Sequence, residues 1–524
     1  MSFWILALYY LVLGTLAAYG LHRLLLVREY LKREYSRKGV ERAAPSPTGR
    51  WPVVTVQLPI YNERYVAERL IEAVSRLDYE ADRLEIQVLD DSSDDTAEVV
   101  RAAVEAQRRR GVDIVHLHRS DRSGYKAGAL EAGQKVAKGE LLAVFDADFV
   151  PPADFLRRTV PHFRDPQIGM VQARWGHLNR NDSLLTRIQA MLLDGHFVIE
   201  HAARHTSGCL FNFNGTAGVW RRRTIDEAGG WQHDTLTEDL DLSYRAQLCG
   251  WRFHYLSDLV VPAELPIDID SFKSQQHRWA MGSIQTCRKL LVKVMRAPLS
   301  LRAKLEAFVH LTANSTYLLM VLLSLLVFPA MVFRQGDEAW KVLAIDLPLF
   351  AAATLALGAF FLVSQREEGG EPSAAAALGR LPALMALGIG LAVNNTRAVV
   401  SGWRVRGGVF NRTPKYRSGA AESGAFGVVS SEAPASAAPG AAAGLIAVGL
   451  AAPAGLAQIK AYLPRLSSSF ATEGFLAFYF ALCFTAAIYS EMWLSLPFLW
   501  LFLQGYGYVT WLGIASRRER SEHF

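Results

Sequence analysis

Apolar and polar positions divide the chain into three stretches. Residues 3–21 are almost wholly apolar and end in a basic run containing Arg23, Arg28, Lys32 and Arg33. From about 50 to 300 the balance is that of a globular domain. Apolar blocks return at 305–333, 341–364, 381–401, 440–458, 474–490 and 494–515. The first block is long enough to cross a bilayer. It lacks the basic n-region and small-residue cleavage site of a signal peptide, so residues 1–27 are expected as a retained transmembrane helix. A soluble domain over 50–300 and a membrane part over 301–524 should follow.

Inside the soluble stretch, strands and helices alternate. Val53–Leu58 is a β-branched run closed by Pro59, and 64–76 has helical periodicity. Leu84–Leu89 reads as a second strand, 94–110 as a charged helix, and Ile114–Leu117 and Leu141–Phe145 as further strands. This order predicts an α/β fold with a parallel-rich, Rossmann-like sheet, joined to an α-helical membrane domain. Ligands of such sheets bind beyond the carboxyl ends of the strands. Polar clusters stand at three of those ends: Tyr61-Asn62-Glu63, Asp90-Asp91-Ser92 and Asp146-Ala147-Asp148. No glycine-rich phosphate loop follows the first strand, which argues against a dehydrogenase or a P-loop nucleotidase.

Composition sharpens this only in places. The 51% hydrophobic content is concentrated in the apolar blocks, and the net charge of +6 lies beside them, as on cytoplasmic flanks. Nothing resembles a nucleic-acid footprint, so no nucleic-acid partner is expected. The four cysteines show no metal-ligand spacing, and 418–443, rich in Ala, Gly, Ser and Pro, reads as a flexible linker.

Four segments carry candidate chemistry. Asp146 and Asp148, two residues apart at a strand end, would hold a hard divalent cation through oxygen ligands, although acidic turns of this kind are common. Asp90 and Asp91 would serve a ligand or cap the next helix. Lys126 has small neighbours that allow close approach to a phosphate. Thr237-Glu238-Asp239 opens a helix; it is good capping chemistry, and equally a place for a general base. Finally, Gln275, Arg278 and Trp279 fall at i, i+3 and i+4 and so share one helix face. Arginine offers a fork for phosphate oxygens and the indole a platform for a sugar ring; the plainer reading is an Arg-Trp anchor at a lipid surface.

Taken in order, these segments resemble the D, DxD, TED and QxxRW set of processive family 2 glycosyltransferases, the cellulose synthase superfamily. Longer strings narrow the resemblance: Gln57-Leu-Pro-Ile-Tyr-Asn-Glu63, Val88-Leu-Asp-Asp-Ser92, Phe145-Asp-Ala-Asp-Phe149, Val171-Gln-Ala-Arg-Trp175 and Phe213-Asn-Gly-Thr-Ala-Gly-Val-Trp220. They are similar to the plant cellulose synthase-like mannan and glucan synthases of subgroups A and C and their bacterial relatives. The resemblance covers 50–290 and implies a glycosyltransferase A-type domain. Tyr61, Glu63, Asp90, Asp91, Lys126, Gln275 and Arg278 would bind the nucleotide sugar, GDP-mannose or UDP-glucose. Asp146 and Asp148 would hold Mg²⁺ or Mn²⁺. Asp239 would be the catalytic base, with Thr237 and Glu238 beside it. Trp279, Asn214, Gly215 and Thr216 would meet the growing polysaccharide acceptor. Phe410, Thr413 and Lys415 resemble a gating loop (F-x-V-T-x-K) that closes over nucleotide, here with Arg412 in place of valine. No cyclic-dinucleotide-binding barrel is expected.

Nucleotide sugars are cytoplasmic, which would place 22–300 and the loop 403–417 inside, in the bacterial inner membrane or a Golgi membrane. On that parity 381–401, with Asn394, Asn395 and Arg397, should lie in the membrane plane, 440–458 at the interface, and 474–490 with 494–515 should form a hairpin. Five crossings result. The leading expectation is an inverting polymerase that extends a β-linked glycan and passes it into its own membrane channel. The alternatives are a non-processive membrane transferase making a glycolipid, and a non-enzymatic export subunit.

Overall fold

The computed structural model describes residues 2–37, 50–334, 339–368, 374–409, 412–415 and 469–522. A long helix α1 (Ser2–Arg37) leads into the soluble domain, ten residues beyond the expected segment. There β1 (Val54–Ile60), α2 (Arg64–Val74), β2 (Leu84–Asp90), α3 (Thr96–Arg109), β3 (Ile114–His118), α4 (Tyr125–Val136) and β4 (Leu141–Val144) alternate. After them come the short α5 (Phe155–Thr159), then β5 (Ile168–His177), α6 (Leu184–Asp194), a π-helical turn (Gly195–His201) and α7 (Ala202–Thr206). The domain closes with β6 (Gly218–Arg221), α8 (Arg222–Glu227), α9 (Glu238–Leu248) and β7 (Arg252–Ala263).

The seven strands form one sheet in the order β3-β2-β1-β4-β6-β5-β7. β1 to β4 are parallel, as is the β5–β7 pair. β6 runs against both its neighbours, so the sheet is mixed. Val54, Val56, Leu58 and Ile60 point to one face, where α2 buries Val66, Ala67, Leu70, Ile71 and Val74 on its i, i+4 stripe. On the other face the intervening positions carry a polar ladder, Thr55 to Glu85 at 2.6 Å and Gln57 to Gln87 at 3.1 Å, covered by α4. Pro59, expected to end the first strand, lies inside it. β4 stops at Val144, opposite Gln57, so no ladder partner waits there for the N–H that proline lacks.

α10 (Ile269–Arg296), α11 (Leu301–Thr312), α12 (Thr316–Phe333), α13 (Ala339–Glu368), α14 (Ala374–Gly390) and α15 (Ala392–Arg404) follow, then α16 (Phe470–Tyr489) and α17 (Leu496–Glu522). Four described helices are long and apolar enough to cross a membrane: Phe3–Lys32, Leu301–Phe333, Ala344–Arg366 and Phe470–Tyr489. The segment expected in one piece at 381–401 is two helices, bent by 42° at Leu391. Its apolar half α14 packs on α17. Its amphipathic half α15 packs on α10 and buries Asn395, while Asn394 Nδ2 donates to the Lys273 carbonyl. The 494–515 block pairs with α16 as α17 but is not among the four spans. The linker 418–443 and the 440–458 block lie outside the described residues. A fully buried ion pair, Lys273 to Glu473 at 2.5 Å, ties α10 to α16. Breaking one partner of such a pair strands a buried charge, so it fixes the active-site helix to the membrane part.

Candidate functional site

A cavity of about 170 Å³ opens beyond the carboxyl ends of β1, β2 and β4, beneath α10. Sixteen of the residues singled out from the sequence line it: Tyr61, Glu63, Asp91, Lys126, Asp146, Asp148, Asn214, Gly215, Thr237, Glu238, Asp239, Gln275, Arg278, Trp279, Thr413 and Lys415. Three do not. Phe410 lies outside the described residues. Thr216 is wholly buried, and its Oγ1 accepts the Asp146 N–H at 2.9 Å, so it sets the acidic turn and does not face a ligand. Asp90 sits below the cavity wall: its Oδ2 meets His116 Nε2 at 2.9 Å and His118 Nδ1 at 3.1 Å, and its Oδ1 accepts from Ser92 N–H at 2.8 Å. Burial works against this carboxylate, but those hydrogen bonds hold it below its ordinary range. The two histidines alternate on the edge strand β3 and so share the face of Asp90. These three donor groups lie within 4.8 Å of one another, and hydrogen bonding accounts for the contacts.

The acidic pair after β4 is met by two ammonium groups. Lys126 pairs with Asp146 and donates to the Gly215 carbonyl at 2.9 Å. Lys415 reaches Asp148 Oδ2 at 2.6 Å and the Glu264 carbonyl at 2.5 Å. Two hard carboxylates that each attract a cation from a different element form a donor set suited to Mg²⁺ or Mn²⁺. Glu264, Trp175, His177, Arg122 and Arg412 also line the cavity, and none was assigned a role from the sequence. Arg122 stacks over the Tyr61 ring, 3.3 Å from its centroid, a contact between two loops that local patterning does not display.

Thr237 stands before α9 without making a side-chain cap, so capping does not explain this segment. Asp239 is half-buried in the cavity wall, and its Oδ1 accepts the Leu240 N–H at 2.8 Å. Burial, and then the nearby Glu238 carboxylate, push its pKa up to about 7. Glu63 is likewise raised to about 7, by burial and by Asp148. Arg278 is half-buried beside Glu238, Asp146 and Asp239, and desolvation lowers its otherwise very high pKa. Lys126 moves up: burial opposes its charge, but Asp146 and Glu238 outweigh that.

Glycines bring these parts together. At Gly282 of α10 a Cβ would lie 2.6 Å from Thr237 Cγ2, and at Gly402 of α15 it would lie 2.7 Å from the Met281 carbonyl. Gln285 then stitches the layers, accepting from Leu236 N–H at 2.9 Å and donating to the Gly407 carbonyl at 2.6 Å. Arg412, Thr413 and Lys415 line the cavity beside the acidic pair. Strain clusters here too: Asn62 and Tyr125 have φ of 54° and 51°, each next to a cavity-lining residue, and Ala217 has φ of 54° two residues after Gly215. Gly215 has φ +84°, and a Cβ there would stand 3.1 Å from Asp239 Oδ2. Gly215→Ala is therefore expected to lower turnover at least tenfold, with a melting temperature shifted by only a few degrees; unchanged turnover would show that the site tolerates this crowding.

Comparison with known proteins follows the same boundaries. Residues 52–282 match the family model described as glycosyltransferase like family 2. Glucomannan 4-beta-mannosyltransferase 1 of Oryza sativa subsp. japonica is 47% identical over 254 residues, covering 48% of this chain and 49% of its own. Glucomannan 4-beta-mannosyltransferase 2 of Arabidopsis thaliana is 47% identical over 255 residues, 48% of either chain. The enzyme named glucomannan 4-beta-mannosyltransferase 1 in Cyamopsis tetragonoloba is 38% identical over 336 residues, covering 62% of this chain and 64% of its own. The chain thus spans about half the length of the curated relatives it matches first. Among solved structures, a mannosyltransferase of Pyrobaculum calidifontis in complex with GDP-Man and Mn²⁺ has a TM-score of 0.48 and 22% identity, over 70% of this chain and 100% of that one. With its mixed seven-stranded sheet and its acidic strand ends, the stretch 52–282 is a family 2 glycosyltransferase domain, similar in sequence to the plant glucomannan mannosyltransferases.

Proposed function

We propose that the protein is an inverting hexosyltransferase that extends a β-linked glycan from a nucleotide sugar, with GDP-mannose as donor, and passes the product into its membrane part. The observation that carries this reading is the single cavity wall shared by Asp239, the Asp146/Asp148 pair and the Gln275-Arg278-Trp279 face. Of the two donors considered, similarity to mannosyltransferases favours mannose. The nucleoside would lie over Asp91, which Arg119 grips at 2.7 and 2.6 Å, and under the Arg122–Tyr61 stack. Arg278 and Lys126 would meet the diphosphate. Asp239 takes the proton of the acceptor hydroxyl as its oxygen attacks the anomeric carbon; the C–O bond to the diphosphate breaks, and the nucleoside diphosphate leaves with the bonding pair. A divalent cation held by Asp146 and Asp148 would supply neutralisation of the leaving charge. The soluble domain would face the compartment that holds nucleotide sugars, the cytoplasm.

A glycolipid product is the second reading, favoured by an apolar cavity of about 340 Å³ among α1, α12, α13, α14 and α17, with Arg23, Glu200 and Arg204 at its edge. Incubating the protein in nanodiscs with GDP-mannose or UDP-glucose and Mn²⁺ separates the two. Nucleoside diphosphate release with a product that an endo-mannanase shortens supports the polymerase. A product running as one glycolipid on thin-layer chromatography overturns it.

Asp148→Ala is expected to weaken Mn²⁺-dependent binding of nucleoside diphosphate, since a ligand of the hard cation and the partner of Lys415 is lost. Calorimetry with and without Mn²⁺ measures it, and equal metal dependence in variant and wild type would remove Asp148 from the cation site.

A further inference from the structure

We propose that His196 and His201 are positioning residues that lock the Asn214 carboxamide in one orientation, so that its outer edge reads two neighbouring hydroxyls of the acceptor sugar. This rests on the reading of the cavity as a glycosyl-transfer site.

Both histidines sit in the π-helical turn Gly195–His201 between α6 and α7. In an α-helix, positions five apart diverge around the axis; the wider π turn brings i and i+5 back towards one side. The two imidazoles accordingly lie 4.4 Å apart, both facing Asn214. Gly195 at the start of the turn admits the Phe360 ring of α13, to which a Cβ would come within 2.5 Å. The π turn is thus clamped against the membrane part on one side and bonded to the cavity wall on the other.

The polarity of the network follows residue by residue. Glu200 can only accept while ionised. Burial would raise it, but Arg23 at 2.8 Å and Arg204 at 3.3 Å hold it well below the ordinary carboxylate range. His196 Nδ1 lies 3.0 Å from Glu200 and donates to it, while Nε2 faces the Asn214 Nδ2 group and accepts. Asn214 Nδ2 therefore donates to His196 Nε2 at 2.9 Å, which turns Oδ1 towards His201. His201 is wholly buried among Phe197, Phe211 and Tyr255, and burial keeps its ring neutral. It donates from Nε2 to Asn214 Oδ1, while its buried Nδ1 meets no hydrogen-bond partner among the described residues. The backbone N–H of Asn214 is held as well, on Gln172 Oε1 at 3.0 Å. An amide fixed at both atoms cannot flip. It retains one N–H and one oxygen lone pair, and Asn214 lines the cavity. Such an edge donates to one hydroxyl oxygen and accepts from the next, the pattern of a vicinal diol.

The test uses the full-length protein in nanodiscs with manno-oligosaccharide acceptors. His201→Phe keeps the ring volume and removes the donor to Oδ1. The expected result is a rise of about tenfold in acceptor KM, the scale of one lost hydrogen bond, with kcat at saturating acceptor changed much less. His201→Gln, which restores an N–H donor, should recover most of the affinity. If His201→Phe does not fold, His201→Gln and His196→Phe carry the comparison. In Asn214→Ala the His201→Phe change should add nothing further to KM, because the group it orients is gone. Additive effects, or a fall in kcat with acceptor KM unchanged, would make the histidines packing residues and overturn the clamp. A wild type that extends no manno-oligosaccharide overturns both the clamp and the polymerase reading, whereas a normal wild type with an unaffected His201→Phe overturns the clamp alone.

Discussion

Asp239→Asn is expected to reduce glycosyl transfer by about 10²–10⁴-fold, the usual worth of a general base, while nucleoside diphosphate binding stays close to wild type. The amide keeps the shape of the carboxylate and its hydrogen bond from Leu240 N–H, but it cannot take the acceptor proton. Burial and Glu238 raise Asp239 to about 7, so the carboxyl is protonated below that pH and competent as a base above it. The transfer rate should therefore climb as pH rises through about 7 and fall below it. Glu63, also raised to about 7, shares the cavity, so the wild-type inflection belongs to the set of coupled groups. Full turnover in Asp239→Asn would reduce this residue to part of a helix terminus.

Trp279→Ala should have the second largest effect, on product length more than on donor chemistry. The indole lies on the cavity face of α10, 6.4 Å from Trp175, which itself tilts against Phe197 at 4.9 Å. These rings form an apolar wall on which a chain-end sugar can rest between additions. Without the indole the chain end dissociates, so polymer should shorten or vanish while slow hydrolysis of the nucleotide sugar to water persists. Sizing the product by gel filtration and measuring nucleoside diphosphate release in parallel separates the two activities. Polymer of wild-type length from the variant would assign the stacking elsewhere.

What the sequence determined by itself is what depends on near neighbours. Short apolar and β-branched runs located β1 to β4 to within two residues, because β1, β2 and β4 are buried on both faces and bounded by polar turns. The helix face shared by Gln275, Arg278 and Trp279 followed from spacing alone, and the strand-end clusters marked the cavity because parallel sheets expose their carboxyl ends to ligands. The order of the four acidic and QxxRW segments added the family. Tertiary structure decided what depends on distant partners. Lys415 meets Asp148 across 267 positions, and no local pattern reports such a pairing. Asp90 was expected among the nucleotide ligands, but the fold sets it beneath the cavity because β3 pairs with β2 in the register that stacks His118 beside it. Thr216, expected at the acceptor, turns inward to hold the Asp146 backbone. The reversed β6, the bend at Leu391 and the π turn at Gly195–His201 escaped periodicity for a shared reason. Each is set by how one element packs against others, and hydrophobic spacing along a single element carries no record of that.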